Sequence, residues 1–312
     1  MPRKSTQVTE VPQQEISTKI SRKTILLLAV LLLILLIPLV LLYLTQKNGD
    51  TSDSKNNSIN SQSSTICDNN PREHLLEEAK KEPENVCIMR IPEESDLSDL
   101  AKLSNSLVNL KTIYFNKTAS QIPSEIGDIT TLTALNFHHT TGTVLPPEIG
   151  KLQNLEILHI SKADIEKLPP EIGKLQKLKQ LIIALNVKNV SLPKTLEELP
   201  SLNVLTLRAN PGIALPEISR IKSIEYLDLT DNSLKELAAG VYQLQKLKIL
   251  NLSYNKISLV KPEIGSLVNL QALRLDNNLL TSIPYLGNLK NLETLNLSNN
   301  SLTVIPEGVE NL

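Results

Sequence analysis

An apolar triplet spaced L-x-x-L-x-L recurs nine times along this chain, and its period leaves few folds open. The first positions are Leu110, Leu132, Leu155, Leu178, Leu202, Ile224, Leu247, Leu270 and Leu292. Successive starts lie 22 to 24 residues apart, so register barely drifts. The unit beginning at Leu155 shows both halves. Leu158 and Ile160 alternate as in a strand and point the same way. Pro169 and Pro170 end that half, and Ile172 and Leu175, three apart, suit one helical or 3₁₀ turn. Such a unit cannot bury its apolar edge alone. Stacked copies share one continuous core, so the expected fold is an α/β solenoid over residues 110–312.

A further position in the unit is Asn at Asn186, Asn210, Asn232, Asn255, Asn278 and Asn300. A turn-lining amide can satisfy backbone groups of its own and the adjacent coil. Thr118, Thr140 and Ala163 take that slot in the first three units. Thr can supply part of the bonding and Ala none, so the N-terminal coils are expected to be less regular.

These features resemble the leucine-rich-repeat family, in the subtype of about 23 residues carrying L-P-x-E-I-G-x-L on its convex side. The resemblance runs from about Val86 to the C-terminus. The segment H-L-L-E-E-A-K-K-E-P-E-N-V before the first strand looks most like membrane-anchored bacterial members. The resemblance implies a horseshoe whose parallel sheet lines the concave face, and a role in binding proteins.

Between the inner leucines lie two solvent-facing columns. The central one reads Tyr114, Asn136, His159, Ile182, Thr206, Asp228, Asn251, Arg274 and Asn296; the next reads Asn116, His138, Ser161, Ala184, Arg208, Thr230, Ser253, Asp276 and Ser298. These positions vary while the leucines do not, as on a recognition surface carried by a fixed scaffold. Ile157, Ile182, Ala184 and Val204 form a candidate apolar patch, with Arg208, Tyr226 and Arg274 nearby as residue types common at hot spots. Singly exposed apolar residues are also ordinary on protein surfaces. His138 and His159 fall on adjacent strands, but no Cys or carboxylate joins them nearby, and a closed metal site wants about four ligands. No metal or cofactor is expected.

Residues 25–44 carry no charge, and 17 of them are Leu, Ile or Val. Twenty residues at 1.5 Å rise reach about 30 Å, the thickness of a hydrocarbon core. Summed insertion energies of roughly −7 kcal/mol outweigh the one Pro. Lys19, Arg22 and Lys23 precede the run, against Lys47 and Lys55 after it. The cation bias places residues 1–24 in the cytosol and the rest beyond the membrane. A cleaved signal peptide is the alternative, but Tyr43-Leu44-Thr45-Gln46-Lys47 lacks a small-residue cleavage pattern. Residues 45–66 are dominated by Ser, Asn, Asp, Thr and Gly, which reads as a flexible stalk.

Residues 67–109 read as a cap and a degenerate first repeat. Asn70-Pro71-Arg72-Glu73 has a capping-box pattern, predicting a helix continued by residues 74–82 with Leu75, Leu76 and Ala79 on one side and Pro83 as its stop. Cys87 lies in a short apolar strand. Cys67 and Cys87 in an exported domain suggest one disulfide, with two buried thiols as the alternative.

Composition narrows the function. The chain has no Trp, 6 Tyr and 2 Phe, which weakens sugar- or base-stacking readings. Beyond residue 24 it carries 27 basic and 31 acidic residues, net −4, which disfavours nucleic acid. No nucleophile elbow, P-loop or zincin motif is present, so no catalytic residue and no enzyme activity are expected. The expected function is a binding scaffold outside the membrane, meeting a partner protein on its concave face. A structural or adhesion spacer is one rival. The receptor part of a longer enzyme is another, because residues 305–312 match 168–175 and the chain stops inside a repeat, as a fragment would.

Overall fold

The computed structural model describes residues 67, 73–93, 95–116, 121–140, 144–163, 165–186, 190–215 and 217–312. The expected membrane span, residues 25–44, and the segments 1–24 and 45–66 beside it lie outside these. Among the described residues no helix is long and apolar enough to cross a membrane.

Eleven strands form a single parallel sheet in sequence order: β1 (Glu73–Leu75), β2 (Ile88–Ile91), β3 (Thr112–Asn116), β4 (Ala134–His138), β5 (Ile157–Ser161), β6 (Gln180–Ala184), β7 (Val204–Thr206), β8 (Tyr226–Asp228), β9 (Ile249–Asn251), β10 (Ala272–Arg274) and β11 (Thr294–Asn296). Neighbouring strands pair one coil apart without offset, so Leu135, Leu158 and Leu181 stack in one row. The solenoid follows from that row. Each coil leaves its apolar edge uncovered until the next coil lies on it. The inward leucines of the coils join in one core cluster. Both Phe residues are spent inside it, Phe115 stacked on Phe137 with ring centroids 4.8 Å apart.

Opposite most strands the chain makes a short 3₁₀ turn, such as Pro147–Lys151 and Pro170–Lys174. Proline at the first position fixes φ where no donor is needed. The Gly of P-E-I-G lets successive turns touch. A Cβ on Gly150 would stand 2.8 Å from the carbonyl oxygen of Glu171 in the next coil.

After each of the strands β4 to β11 a residue takes left-handed backbone: His139, Lys162, Leu185, Ala209, Asp231, Tyr254, Asn277 and Asn299 have φ of 51° to 59°. Their N–H groups thereby reach across the stack. Lys162 N donates to Ala184 O at 2.9 Å and Tyr254 N to Asp276 O at 3.0 Å.

The Asn ladder controls strand length. Nδ2 of Asn210, Asn232, Asn255, Asn278 and Asn300 donates to the carbonyls of Ile183, Leu207, Leu229, Leu252 and Leu275, one coil back, at 2.7 to 2.9 Å. A side chain thus takes the acceptor that backbone would otherwise fill, and β7 to β11 are three residues long. β3 to β6 run for five. The expectation of less regular N-terminal coils is not met in their strands, where the slot holds Thr or Ala and the backbone ladder itself continues. Strand β6 keeps five residues as well, its Asn186 bonding to Ile165 instead. The turns at 117–120, 141–143 and 164 lie outside the described residues. Thr140 does not stand in for Asn: its hydroxyl is buried without a hydrogen bond among the described residues. Asn186 bonds both ways to Ile165, whereas the Oδ1 of Asn210 is buried without a partner among the described residues.

The cap differs from the sequence reading. Residues 73–75 are a strand, and helix α1 (Leu76–Ala79) starts after them. Two contacts explain the change. Glu73 pairs edge-on with β2 at Ile88 and grips the Arg90 guanidinium with both carboxylate oxygens, at 2.8 and 3.0 Å. The capping carboxylate is Glu78, which accepts from Leu75 N at 3.2 Å. Leu75 is exposed while Leu76 and Ala79 are buried. Helix α2 (Leu97–Leu103) follows β2, its first turn capped by Asp96, which accepts from Ser98 N. Cys67 and Cys87 form a disulfide with Cα atoms 5.7 Å apart.

Candidate functional site

The outer face of the sheet is built by residues that alternate with the inward leucines. Register aligns Tyr114, Asn136, His159, Ile182, Thr206, Asp228, Asn251, Arg274 and Asn296 strand by strand. It also extends that column to Arg90 on β2 and Leu75 on β1. The sequence reading began the column at Tyr114 and missed Arg90. The signal was present in Ile88-Met89-Arg90-Ile91, where Arg90 lies between two buried residues. Arg90 sits 6.0 Å from the centroid of the Tyr114 ring.

The face changes character along its length. Toward the N-terminus it carries rings. His138 and His159 meet edge to face with centroids 4.8 Å apart, and Ser161 Oγ lies 3.3 Å from His138 Nδ1. Burial, with His138 beside it, depresses the His159 pKa to about 4. His138 is lowered too, first by burial and then by His139, Arg90 and Lys162. Both rings are therefore neutral near pH 7, a state in which imidazole can serve as acceptor or ligand. Among the described residues no three His, Cys, Asp or Glu side chains gather in a metal-binding group.

At the middle, Ile157, Ile182 and Ala184 are half-buried and carry the expected apolar patch. Val204 does not join it. It is only 8% exposed, covered where β6, β7 and β8 pack together, so the patch is smaller than the sequence suggests. Tyr226 stands beside it, its hydroxyl pKa raised first by burial and then by Asp228, so it remains a neutral donor.

The C-terminal half is polar and internally bonded. Asp228 accepts from Thr230 N at 2.9 Å and from the Thr230 hydroxyl at 2.5 Å. Asn251 and Asn296 bend along their own coils, accepting from Ser253 and Ser298 two residues on. Asp276 accepts from Ser253 Oγ, Asn277 Nδ2 and Asn296 Nδ2 at 2.6 to 2.9 Å. Asn136, Asp228 and Asp276 are each under a tenth exposed. These residues shape the face more than they offer free contacts. Sequence alone does not show this, because spacing places an Asp in a column without saying whether a neighbour has taken its oxygens.

Three family models match the chain: a leucine-rich repeat region at residues 105–212, a leucine-rich repeat at 222–280, and a two-copy leucine-rich repeat at 268–307. The rat leucine-rich repeat-containing G-protein coupled receptor 5 is 39% identical over 97 residues, 30% of this chain and 11% of the receptor. Matches to three curated relatives span between 6% and 26% of those proteins' lengths. Among solved structures, a leucine-rich-repeat protein of Leptospira interrogans superposes with a TM-score of 0.59 at 30% identity, covering 73% of this chain and 64% of that one. A TLR13 chain from a complex with ssRNA13 superposes at 0.62, with 22% identity over 76% of this chain and 36% of its own; that likeness concerns the fold alone. With a coil period of 22 to 24 residues, an eleven-strand parallel sheet and these matches along it, the chain belongs to the leucine-rich-repeat family.

Proposed function

We propose that the chain is a non-enzymatic binding scaffold, anchored by residues 25–44 with its N-terminus in the cytosol. In this reading the repeats stand beyond the membrane and meet a partner protein on the outer face of the sheet. One observation carries it: nine aligned strands keep large apolar residues (Leu, Ile or Phe) at their inward positions while the outward column changes side chain at every step. A spacer needs only the constant part. The half-buried mid-face, with Ile182 between His159 and Thr206, combines apolar area with polar anchors, as interface centres do.

The test is photo-crosslinking in the membrane of a host that displays the full chain. A photoreactive residue replaces Ile182 or Thr206 on the face, or Lys174 on the opposite turn. The expected result is one protein adduct from both face positions and none from Lys174. Adducts from Lys174 alone, or self-adducts that grow with expression, would overturn the reading in favour of a self-associating spacer. A reporter fused before residue 25 reads orientation, and activity of that reporter beyond the membrane would refute the cytosolic N-terminus.

A further inference from the structure

The cations on the outer face are not treated alike. Among the described residues Arg90 on the face holds Glu73, and on the opposite 3₁₀ turns Arg220 reaches Glu197 at 3.5 Å. Along the rim, Lys179 pairs with Glu156 at 2.8 Å and Lys248 with Glu225 at 2.6 Å. Arg208 and Arg274 have no such partner. Neither guanidinium makes a hydrogen bond or an ion pair among the described residues. The acids that could have met them, Asp228 and Asp276, are buried and already accept two and three hydrogen bonds from Thr230, Ser253, Asn277 and Asn296.

The two arginines also share a neighbourhood. Arg208 follows β7 and Arg274 ends β10, with β8 and β9 between them. Tyr226 opens β8, the strand next to β7, and both cations act against the upward push that burial and Asp228 give its hydroxyl. Ile182 lies on β6, the strand next to the one that Arg208 follows, and Ile157 on β5 beyond it. The arrangement is one unpaired planar cation, Arg208, next to a small apolar step, and a second, Arg274, three strands farther along the face.

From this we infer that the partner docks an acidic segment, its carboxylates on Arg208 and Arg274 and an adjoining aliphatic or aromatic side chain on Ile157 and Ile182. The inference rests on the binding-scaffold reading and adds the chemistry of the partner. Guanidinium groups take carboxylates through paired N–H donors, a geometry Lys lacks. The net charge of −4 beyond residue 24 weighs against a continuous polyanion such as nucleic acid, whose affinity comes from many phosphate contacts. A short acidic and apolar stretch escapes that repulsion, because only a few charges approach.

The experiment selects a phage library of random peptides on the full chain in detergent micelles. Parallel selections use Arg208→Gln with Arg274→Gln, Ile182→Asp, and Lys174→Gln as an off-face control, each checked for parental melting by circular dichroism. The expected parent pool is rich in Asp and Glu beside an apolar residue. Its best peptide weakens about tenfold or more when both charge-assisted contacts go, and is unchanged by Lys174→Gln. A parent pool without acidic preference that is lost only in Ile182→Asp overturns this inference and leaves the sheet-face reading standing. Enrichment indifferent to both face variants overturns the two together. A single-stranded oligonucleotide that binds with the same arginine dependence while no acidic peptide does would reassign the face to nucleic acid.

Discussion

The side chain of Asn232 bridges two coils: its Nδ2 donates to Leu207 O at 2.7 Å and its Oδ1 accepts from Asn210 N at 2.8 Å. Both partners are backbone groups that the neighbouring coils bury. Removing the amide strands a donor and an acceptor, each worth about 1–3 kcal/mol when left unsatisfied. Asn232→Ala is therefore expected to cost about 3 kcal/mol, read by urea unfolding of the full chain. A loss at Asn232 below about 1 kcal/mol would refute the ladder account.

The P-E-I-G turns give a paired test. At Gly150 a Cβ would meet the Glu171 carbonyl oxygen at 2.8 Å and Glu171 Cβ at 2.9 Å, so coils must part. At Gly265 the nearest atom is Asn288 Nδ2 at 3.4 Å, the end of a movable side chain. Gly150→Ala is expected to destabilise by more than about 1 kcal/mol. Gly265→Ala should be neutral or stabilising by about 0.4–1 kcal/mol through the unfolded chain. Equal effects at both positions would show that coil spacing is not set by these glycines.

Lys162 is exposed and sits at φ 51°, where an L side chain without local bonding loses roughly 1–2 kcal/mol. Asn tolerates that region better. Lys162→Asn should raise stability by about 0.5–1 kcal/mol, since Asn already holds the equivalent place at Asn277 and Asn299. A fall in the denaturation midpoint would mean that the Lys162 side chain does more than its backbone requires.

How far the sequence can be read depends on whether a feature is periodic. The inward leucines, the 3₁₀ turns and the columns follow from spacing, so Tyr114 to Asn296 fall where counting puts them. What spacing cannot express is competition for one group. Glu73 belongs by pattern to a helix start, yet Arg90, 17 positions on, holds it in a strand. Val204 belongs by column to the exposed patch, yet its neighbours cover it. Asp228 and Asp276 look available until Thr230 and Asn296 are seen to occupy them. The unpaired state of Arg208 and Arg274 is the complement of that competition and equally invisible beforehand.

The Cys67–Cys87 bond closes a loop of 20 residues across the cap. Chain-entropy arguments give about 3 kcal/mol for a loop of that size. Reduction, or Cys67→Ser with Cys87→Ala, should lower stability by roughly that amount. The first loss of amide-exchange protection should appear in β1 and β2. Protection lost first at β10 and β11 instead would show that the cap is not the part the bond secures.

The last prediction concerns pH. His159 titrates at about 4 in the folded chain, against about 6.5 unfolded. The folded state therefore resists a proton that the unfolded state accepts. Stability is full above pH 6.5 and falls as pH drops toward 4, where the folded ring also protonates and the loss levels off. At about 1.4 kcal/mol per unit, the loss approaches about 3 kcal/mol by pH 4. His138 faces His159 across 4.8 Å and is depressed in the same direction, so charging either ring hinders the other. Urea unfolding at pH 7 and pH 4.5 should show this loss in the parent and a smaller one in His159→Gln. An equal loss in both would place the acid sensitivity elsewhere, among the carboxylates that pair along the rim.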